Sequence, residues 1–333
     1  MIEKIVKWVD PFTSESLKKE GSFLSNSSSK YKLTDGIPSF VHSISDIDQN
    51  QVKTTFSYKW TRSDFGQKNE EFNGKIRDVY LDMLGLDEKD LSLFFDKVVL
   101  DVGVGSGSSA RLWAKNAKEF HGIDISEAVY KANNALKNLK NPPILSQANL
   151  FNLPYLDEQF DVIVSNGVLH HTRSTKEALK AIIKKLKTGG YCLFYVYKKK
   201  SPIREFSDDY IRSKISDKPP DEAWKSIEEI TKFSKAIHDQ SIKINIPDNV
   251  KLLGINKGEY DLKQFIYQHF FKCFWNETWG FEDSNMVNFD WYYPKYSWRQ
   301  TEEEIKNWCN EFHLKIEYLK ERESGYTCLV EKN

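Results

Sequence analysis

Val98-Val-Leu-Asp-Val-Gly-Val-Gly-Ser-Gly107 is the stretch that decides the fold. An apolar run interrupted only by Asp101 reads as a strand buried on both faces, and the alternating glycines behind it read as a tight loop. A helix is predicted from about Ser108 to Asn116, so its first N–H groups face whatever the loop cradles. Downstream, Phe120–Asp124 is a second strand and Glu127–Leu139 a second helix. Ile144–Asn149, Phe160–Ser165 and Tyr191–Tyr197 supply three more strands. A helix over Lys176–Leu186 precedes the last of these, with Gly189-Gly190 expected as its C-cap. Strands and helices in alternation imply a parallel sheet with helices on both faces.

Working outward, residues 1 to about 45 are polar and rich in turn residues, with Ser25-Asn-Ser-Ser-Ser29 at a tip and Asp35-Gly-Ile-Pro38 as a turn. Glu70–Leu84 has helical spacing, with Phe72, Ile76, Val79, Tyr80 and Met83 as its apolar positions. Between Lys198 and Thr301 the alternation stops. This stretch reads as mostly helical, with breaks at Pro219-Pro220 and Pro247. Thr301, three residues ahead of Glu304, opens a capped helix, and Lys315–Leu319 and Tyr326–Glu331 form a closing hairpin. The expected division is an accessory segment over 1–50, a core over 51–200, a helical cap over 201–300, and a helix and hairpin over 301–333 that complete the core.

The chain has 333 residues, enough for a large core without disulfides or metals. Its 48 basic and 48 acidic side chains balance, which speaks against a polyphosphate as main partner; the reading is no nucleic acid. Cys192, Cys273, Cys309 and Cys328 form no CxxC pair, so neither a zinc site nor a disulfide scaffold is expected. The N-terminal Met1-Ile-Glu-Lys-Ile-Val-Lys-Trp8 lacks the apolar run of a secretory signal, and the apolar run from Phe265 to Trp275 is short and broken by polar residues. A cytoplasmic protein with no membrane partner is the expectation; nothing indicates an oligomeric state.

The glycine loop and Asp124, about 20 residues beyond Gly103, fit two cofactor classes, because a carboxylate there accepts both ribose hydroxyls of a nucleoside. The dinucleotide pattern GxGxxG fails from Gly103, where Ser108 stands at the third glycine; from Gly105 it holds only in its alanine form, at Ala110. The spacing actually present is GxGxG, with Asp101 two residues ahead.

Leu100–Gly107, Gly122-Ile-Asp124, Leu153-Pro-Tyr155, Phe160-Asp161, Gly167-Val-Leu-His-His171 and Leu186-Lys-Thr-Gly-Gly190 together resemble a class I S-adenosylmethionine-dependent methyltransferase, over roughly residues 95–200 plus the final hairpin. The resemblance implies an α/β, Rossmann-like seven-stranded sheet whose last strand is antiparallel, here with a helical cap insertion. It implies S-adenosyl-L-methionine as cofactor and methyl transfer as activity. Asp101, Gly103, Gly105 and Gly107 would line its methionine and ribose part, Asp124 its ribose hydroxyls, and Ile125 its adenine. Asn149, with Leu150 beside it, stands where the family usually has an acidic residue against the adenine amine. Asn166 and Gly167 would border the transferred methyl. Pro11–Val41 resembles a small zinc-ribbon-like module without its cysteines (Asp10 and Ser14 stand near a pair's place), so no metal is expected. Phe56–Trp60, Ser201–Glu205 and Asn288–Pro294 resemble a bacterial methyltransferase subgroup associated with surface glycans and natural products, so a small polar or glycan-precursor acceptor is expected.

Candidates for the chemistry follow from position. His171 is the expected general base, against the plainer reading of a loop-capping histidine pair with His170. The cap contributes Asp290 and Tyr292 as catalytic candidates, with His269, Tyr293 and Arg299 behind them. Charges set among aromatics are costly to bury alone, so Asp290 and Arg299 either pair together or hold a polar substrate. Lys198-Lys-Lys200 and Arg204 either hold a substrate anion or are solvated. Trp60 either closes over the cofactor or staples the N-terminal segment. Two other readings stay open: a non-catalytic partner subunit with the same fold, and a nicotinamide-nucleotide oxidoreductase.

Overall fold

The computed structural model describes residues 5–41, 46–62, 70–87 and 89–333, with backbone alone over 70–76. Phe72, Ile76 and Met1–Lys4 therefore lie outside the described side chains. In chain order the strands are β1 (Lys18–Glu20), β2 (Phe23–Ser25), β3 (Lys30–Thr34), β4 (Ile37–Pro38), β5 (Val98–Val102), β6 (Glu119–Asp124), β7 (Ile144–Gln147), β8 (Phe160–Asn166), β9 (Leu186–Tyr197), β10 (Lys243–Ile246), β11 (Gly258–Asp261), β12 (Leu314–Glu321) and β13 (Gly325–Lys332). The α-helices are α1 (Ile47–Arg62), α2 (Glu70–Leu84), α3 (Arg111–Ala114), α4 (Ala128–Leu136), α5 (Thr175–Ile183), α6 (Pro202–Ile215), α7 (Pro220–Gln240), α8 (Leu262–His269), α9 (Gly280–Tyr292) and α10 (Glu302–Glu311).

Seven strands form one sheet in the order β12-β13-β9-β8-β5-β6-β7. The five from β9 to β7 run parallel, and β13 joins antiparallel to both β9 and β12. Both faces are buried, so alternate residues of one strand feed two cores. Cys192, Phe194 and Val196 of β9 pack with Leu100 and Val330 on one side; Leu193, Tyr195 and Tyr197 pack with Val99 and Val164 on the other. The α10 start is the capping box read from Thr301 and Glu304, with both reciprocal hydrogen bonds present.

Several elements are shorter than expected, α3 covering only Arg111–Ala114 and β7 ending at Gln147. Helix α5 ends at Ile183, and Gly189-Gly190 lies inside β9, where it is no helix cap. The reason is a close approach: a Cβ on Gly190 would come within 2.9 Å of the Asp161 and Lys187 carbonyls.

The N-terminal strands make a separate small sheet that seals an edge of the large one. Ser39 bridges to Gln147 of β7, and the Phe40 N–H donates to the Gln147 carbonyl at 2.8 Å. Trp8 stacks on Tyr155, and Glu119 accepts the N–H groups of Ile5 and Val6. Asp10 accepts from the N–H groups of Phe12 and Thr13 and from the Tyr31 hydroxyl, so a hydrogen-bonded carboxylate organises the knuckle.

Helices α6 to α9 form the insertion, with the β10–β11 hairpin protruding from it. Asn285 and Asn288 of α9 tie it together, exchanging hydrogen bonds with Thr231 of α7, while Asn288 also binds both backbone groups of Phe274. Among the described residues, no helix is long and apolar enough to cross a membrane.

Candidate active site

The carboxyl ends of β5, β6, β7 and β8, the helix α1 and the insertion enclose a cavity of about 440 Å³. Gly103 turns at a positive φ of 83° behind β5, and a Cβ there would press into Val168 at 2.2 Å, so the loop closes directly on the segment after β8. Trp60 of α1 covers Gly105 from the other side, and the Lys59 ammonium lies over the Trp60 ring at 4.6 Å from its centroid.

Asp124 sits at the end of β6 and lines the cavity. Its Oδ2 accepts the Gly105 N–H at 2.9 Å, and its Oδ1 accepts both the N–H and hydroxyl of Ser126. These bonds set the loop's shape and leave the carboxylate's other lone pairs for hydroxyl donors. Burial raises its pKa despite those bonds. Ile125, Asn149 and Leu150 continue the wall at the ends of β6 and β7, and Asn166 and Gly167 carry it past β8. One lone pair of the Asn149 Oδ1 is engaged by the Phe151 N–H.

Not every expected residue reaches this wall. Asp101 lies behind the loop, where it accepts from the Trp113 indole N–H at 3.0 Å; burial, joined by the neighbouring Asp124 charge, pushes its carboxyl up to about 7. Gly107 packs on Ala132 of α4. Both therefore shape the loop, and neither lines the cavity.

On the far side, His171 follows β8 with its Nδ1 2.7 Å from the Tyr296 carbonyl. Donation there fixes the tautomer and leaves the lone pair on Nε2. Burial lowers the ring's pKa to about 4, more than the favourable Asp290 charge raises it, so the ring is neutral at neutral pH. Phe56 packs against it edge-on. His171 Nε2 lies 3.8 Å from Oδ1 of Asp290, whose Oδ2 is held by Lys59 at 2.5 Å. Burial alone would raise Asp290, but Lys59, His171 and Lys272 outweigh it and keep the carboxyl below the usual range. Asn166 Oδ1, His171 Nε2 and Asp290 Oδ1 are buried acceptors without a hydrogen-bond partner among the described residues. A polar ligand fits such a wall, since a buried acceptor left without a donor is destabilising.

The other cap candidates are spent elsewhere. The Tyr292 hydroxyl donates to Asp208 and shares the Lys272 carbonyl, fully buried behind the wall, so the expectation that Tyr292 meets substrate is corrected. Tyr293 bonds the Lys218 carbonyl, and Arg299 pairs with Glu205 and Asp209, not with Asp290. Arg204 is paired with Asp208, each 1% exposed, which removes it as a substrate anchor. Lys198 pairs with Glu321, and His269 stands outside the cavity wall. Lys59 and Lys272 are wall residues that the sequence reading missed. Lys59 was one residue from the noted Trp60, inside a helix of unremarkable amphipathicity, and Lys272 was a lone charge among aromatics.

Comparison with known proteins gives one family match and several partial likenesses. Residues 100–194 match a family model described as a methyltransferase domain. Curated relatives include the tRNA U34 carboxymethyltransferase of Shewanella sediminis, 38% identical over 104 residues, covering 30% of this chain and 31% of the relative. The protein of the same description from Shewanella putrefaciens is 37% identical over 107 residues, covering 31% and 32%. The likeness thus spans about a third of those relatives' length. Similar solved structures include a SAM-dependent methyltransferase from Aquifex aeolicus (TM-score 0.41, 14% identity, 79% of this chain and 98% of that one). Another is the N-methyltransferase NodS from Bradyrhizobium japonicum with S-adenosyl-L-homocysteine (TM-score 0.38, 18% identity, 44% and 74%). Residues 100–194 thus match a methyltransferase domain, in keeping with the ordered motifs and the seven-stranded sheet with its antiparallel end.

Proposed function

We propose that the protein transfers a methyl group from S-adenosylmethionine to a hydroxyl or amine of a small polar acceptor, of the sugar or glycan-precursor kind, held under the insertion. One observation carries the reading: His171 Nε2 and Asp290 Oδ1 lie 3.8 Å apart on the cavity wall, and neither has a donor among the described residues. A ligand group placed between two acceptors brings its own hydrogen, as an O–H or N–H does.

S-adenosylmethionine supplies a methyl already activated on a sulfonium, so the protein's work is alignment, exclusion of water and proton handling. Asp124, Ile125, Asn149 and Leu150 are assigned to the adenosine, with Gly103, Gly105 and Asn166 toward the methionine. His171 accepts the proton of the acceptor at Nε2 while the Tyr296 carbonyl holds Nδ1–H. Asp290, kept ionised by Lys59, stabilises the imidazolium that results. A cytoplasmic setting agrees with four buried free thiols.

A nucleic-acid acceptor is the second reading, favoured by the names of the curated relatives. The balanced charge of the chain and the insertion over the cavity favour the small acceptor. Calorimetric titration with S-adenosylmethionine and, separately, reduced nicotinamide dinucleotide tests the cofactor. Labelled-methyl transfer to unmodified tRNA against a panel of sugars and metabolites tests the acceptor. Binding of neither cofactor sinks the enzymatic reading and turns attention to a partner-subunit role.

A further inference from the structure

We infer that the acceptor carries an anionic group, a carboxylate or phosphate, and that the ammonium of Lys272 receives it within the cavity. The inference rests on the cavity being the methyl-transfer site and names the class of substrate that it admits.

Lys272 lies between α8 and α9, is only 6% exposed, and lines the cavity. Among the described residues its ammonium has no ion pair or hydrogen bond; its one recorded partner is the face of Trp291, 4.6 Å from the ring centroid. Burying a cation in this way is costly without an anion. Of the two nearby carboxylates, Asp208 is fully engaged, and Asp290 divides its single charge between Lys59 and Lys272. Asp208 already accepts from Arg204 Nε, Trp291 Nε1, the Tyr292 hydroxyl and the backbone N–H of Lys272 itself. Asp290 is bound to Lys59 at 2.5 Å. Lys59, Lys272 and Asp290 therefore leave one positive charge uncompensated on this part of the wall, with His171 neutral.

Position separates this charge from the adenosine side. Asp124, Ile125, Asn149 and Leu150 stand at the ends of β6 and β7, on one side of β5. Trp291, under the Lys272 ammonium, packs on Tyr197 of β9, two strands over on the other side. His171 packs edge-on against the same Tyr197. An acceptor with its O–H or N–H at His171 thus meets Lys272 on the flank away from the glycine loop. Burial, opposed by Asp290 and reinforced by Arg204, brings the Lys272 pKa down to about 8; a bound anion restores it.

The test uses the whole chain saturated with S-adenosylhomocysteine, titrated with inorganic phosphate and with malonate against matched chloride, reading Tm. The wild type is expected to rise in Tm with at least one dianion, and which one responds separates phosphate from carboxylate recognition. Lys272→Met should lose the response and Lys272→Arg keep it, with S-adenosylhomocysteine affinity unchanged within about twofold. No response in the wild type, or an undiminished one in Lys272→Met, overturns the inference. So does a fall of about tenfold or more in S-adenosylhomocysteine affinity for Lys272→Met, because the lysine would then serve the cofactor's carboxylate. Failure of the wild type to bind S-adenosylhomocysteine is a different result and counts against the methyl-transfer reading itself.

Discussion

Nε2 of His171 and Oδ1 of Asp290 lie 3.8 Å apart on the cavity wall, two acceptors with no donor for either among the described residues. His171 comes from the loop after β8 and Asp290 from α9 of the insertion, so the sheet and its cap meet at this pair. His171→Ala should lower turnover by about 10²–10⁴-fold, the usual worth of a positioned base, while cofactor affinity stays constant. Unchanged turnover with an identified acceptor would remove His171 as the base.

The same histidine predicts a dependence of stability on pH. Its ring titrates near 6.5 when unfolded and at about 4 when folded, because burial disfavours the cation. Between those values the unfolded chain binds a proton that the folded chain refuses. The stabilisation is therefore complete above about pH 6.5 and lost as pH falls toward 4, roughly 3 kcal/mol in all. Urea denaturation at pH 7 and pH 5 should show the drop, and His171→Gln should make it shallower. Equal slopes in the two proteins would contradict the assignment.

Asp124→Ala should weaken S-adenosylhomocysteine binding by about 1–3 kcal/mol, the cost of orphaning polar groups that the carboxylate now meets. Calorimetry measures this directly. An unaltered affinity would mean that the nucleoside does not sit against Asp124, although the Gly105 and Ser126 bonds would still be lost.

Lys59 and Asp290 are separated by 231 positions in the chain and form a largely desolvated pair. Asp290→Ala should destabilise the protein by about 2–4 kcal/mol, less than for a wholly buried pair because Asp290 keeps some solvent contact. The double variant with Lys59→Met should recover part of the loss, since the stranded ammonium is gone. A double variant as unstable as the sum of the singles would show that the pair is not coupled.

Arg204→Met breaks an ion pair hidden from solvent on both sides and strands Asp208 among Trp291 and Tyr292. A stability loss of about 3–5 kcal/mol in chemical denaturation is expected. Cofactor affinity should not move. A large loss of affinity with normal stability would place Arg204 in the binding machinery, against the geometry described above.

The parallel core was legible because local pattern carries it. Val98–Val102, Phe160–Ser165 and the Thr301–Glu304 cap follow from apolar runs and capping chemistry within a few residues. The β10–β11 hairpin went unseen: Lys243–Ile246 and Gly258–Asp261 are short, half exposed, and joined across a long connection without a two-residue turn signal. Gly189-Gly190 was misread because a glycine pair looks alike as a helix stop and as a close strand approach. Tyr292 looked catalytic from its neighbours in the sequence, yet helical rotation turns it toward Asp208 while Asp290, two residues earlier, reaches the cavity wall.

By itself the sequence determined the order of strands and helices in the parallel core, the glycine loop and the carboxylate at Asp124, since each depends on residues close together in the chain. Tertiary structure alone decided that Lys59 pairs with Asp290, that Arg204 is consumed by Asp208, and that Lys272 has no ion pair among the described residues. Charge pairing is settled by distance in space and by exclusion of water, and neither is written in the spacing of residues along a chain.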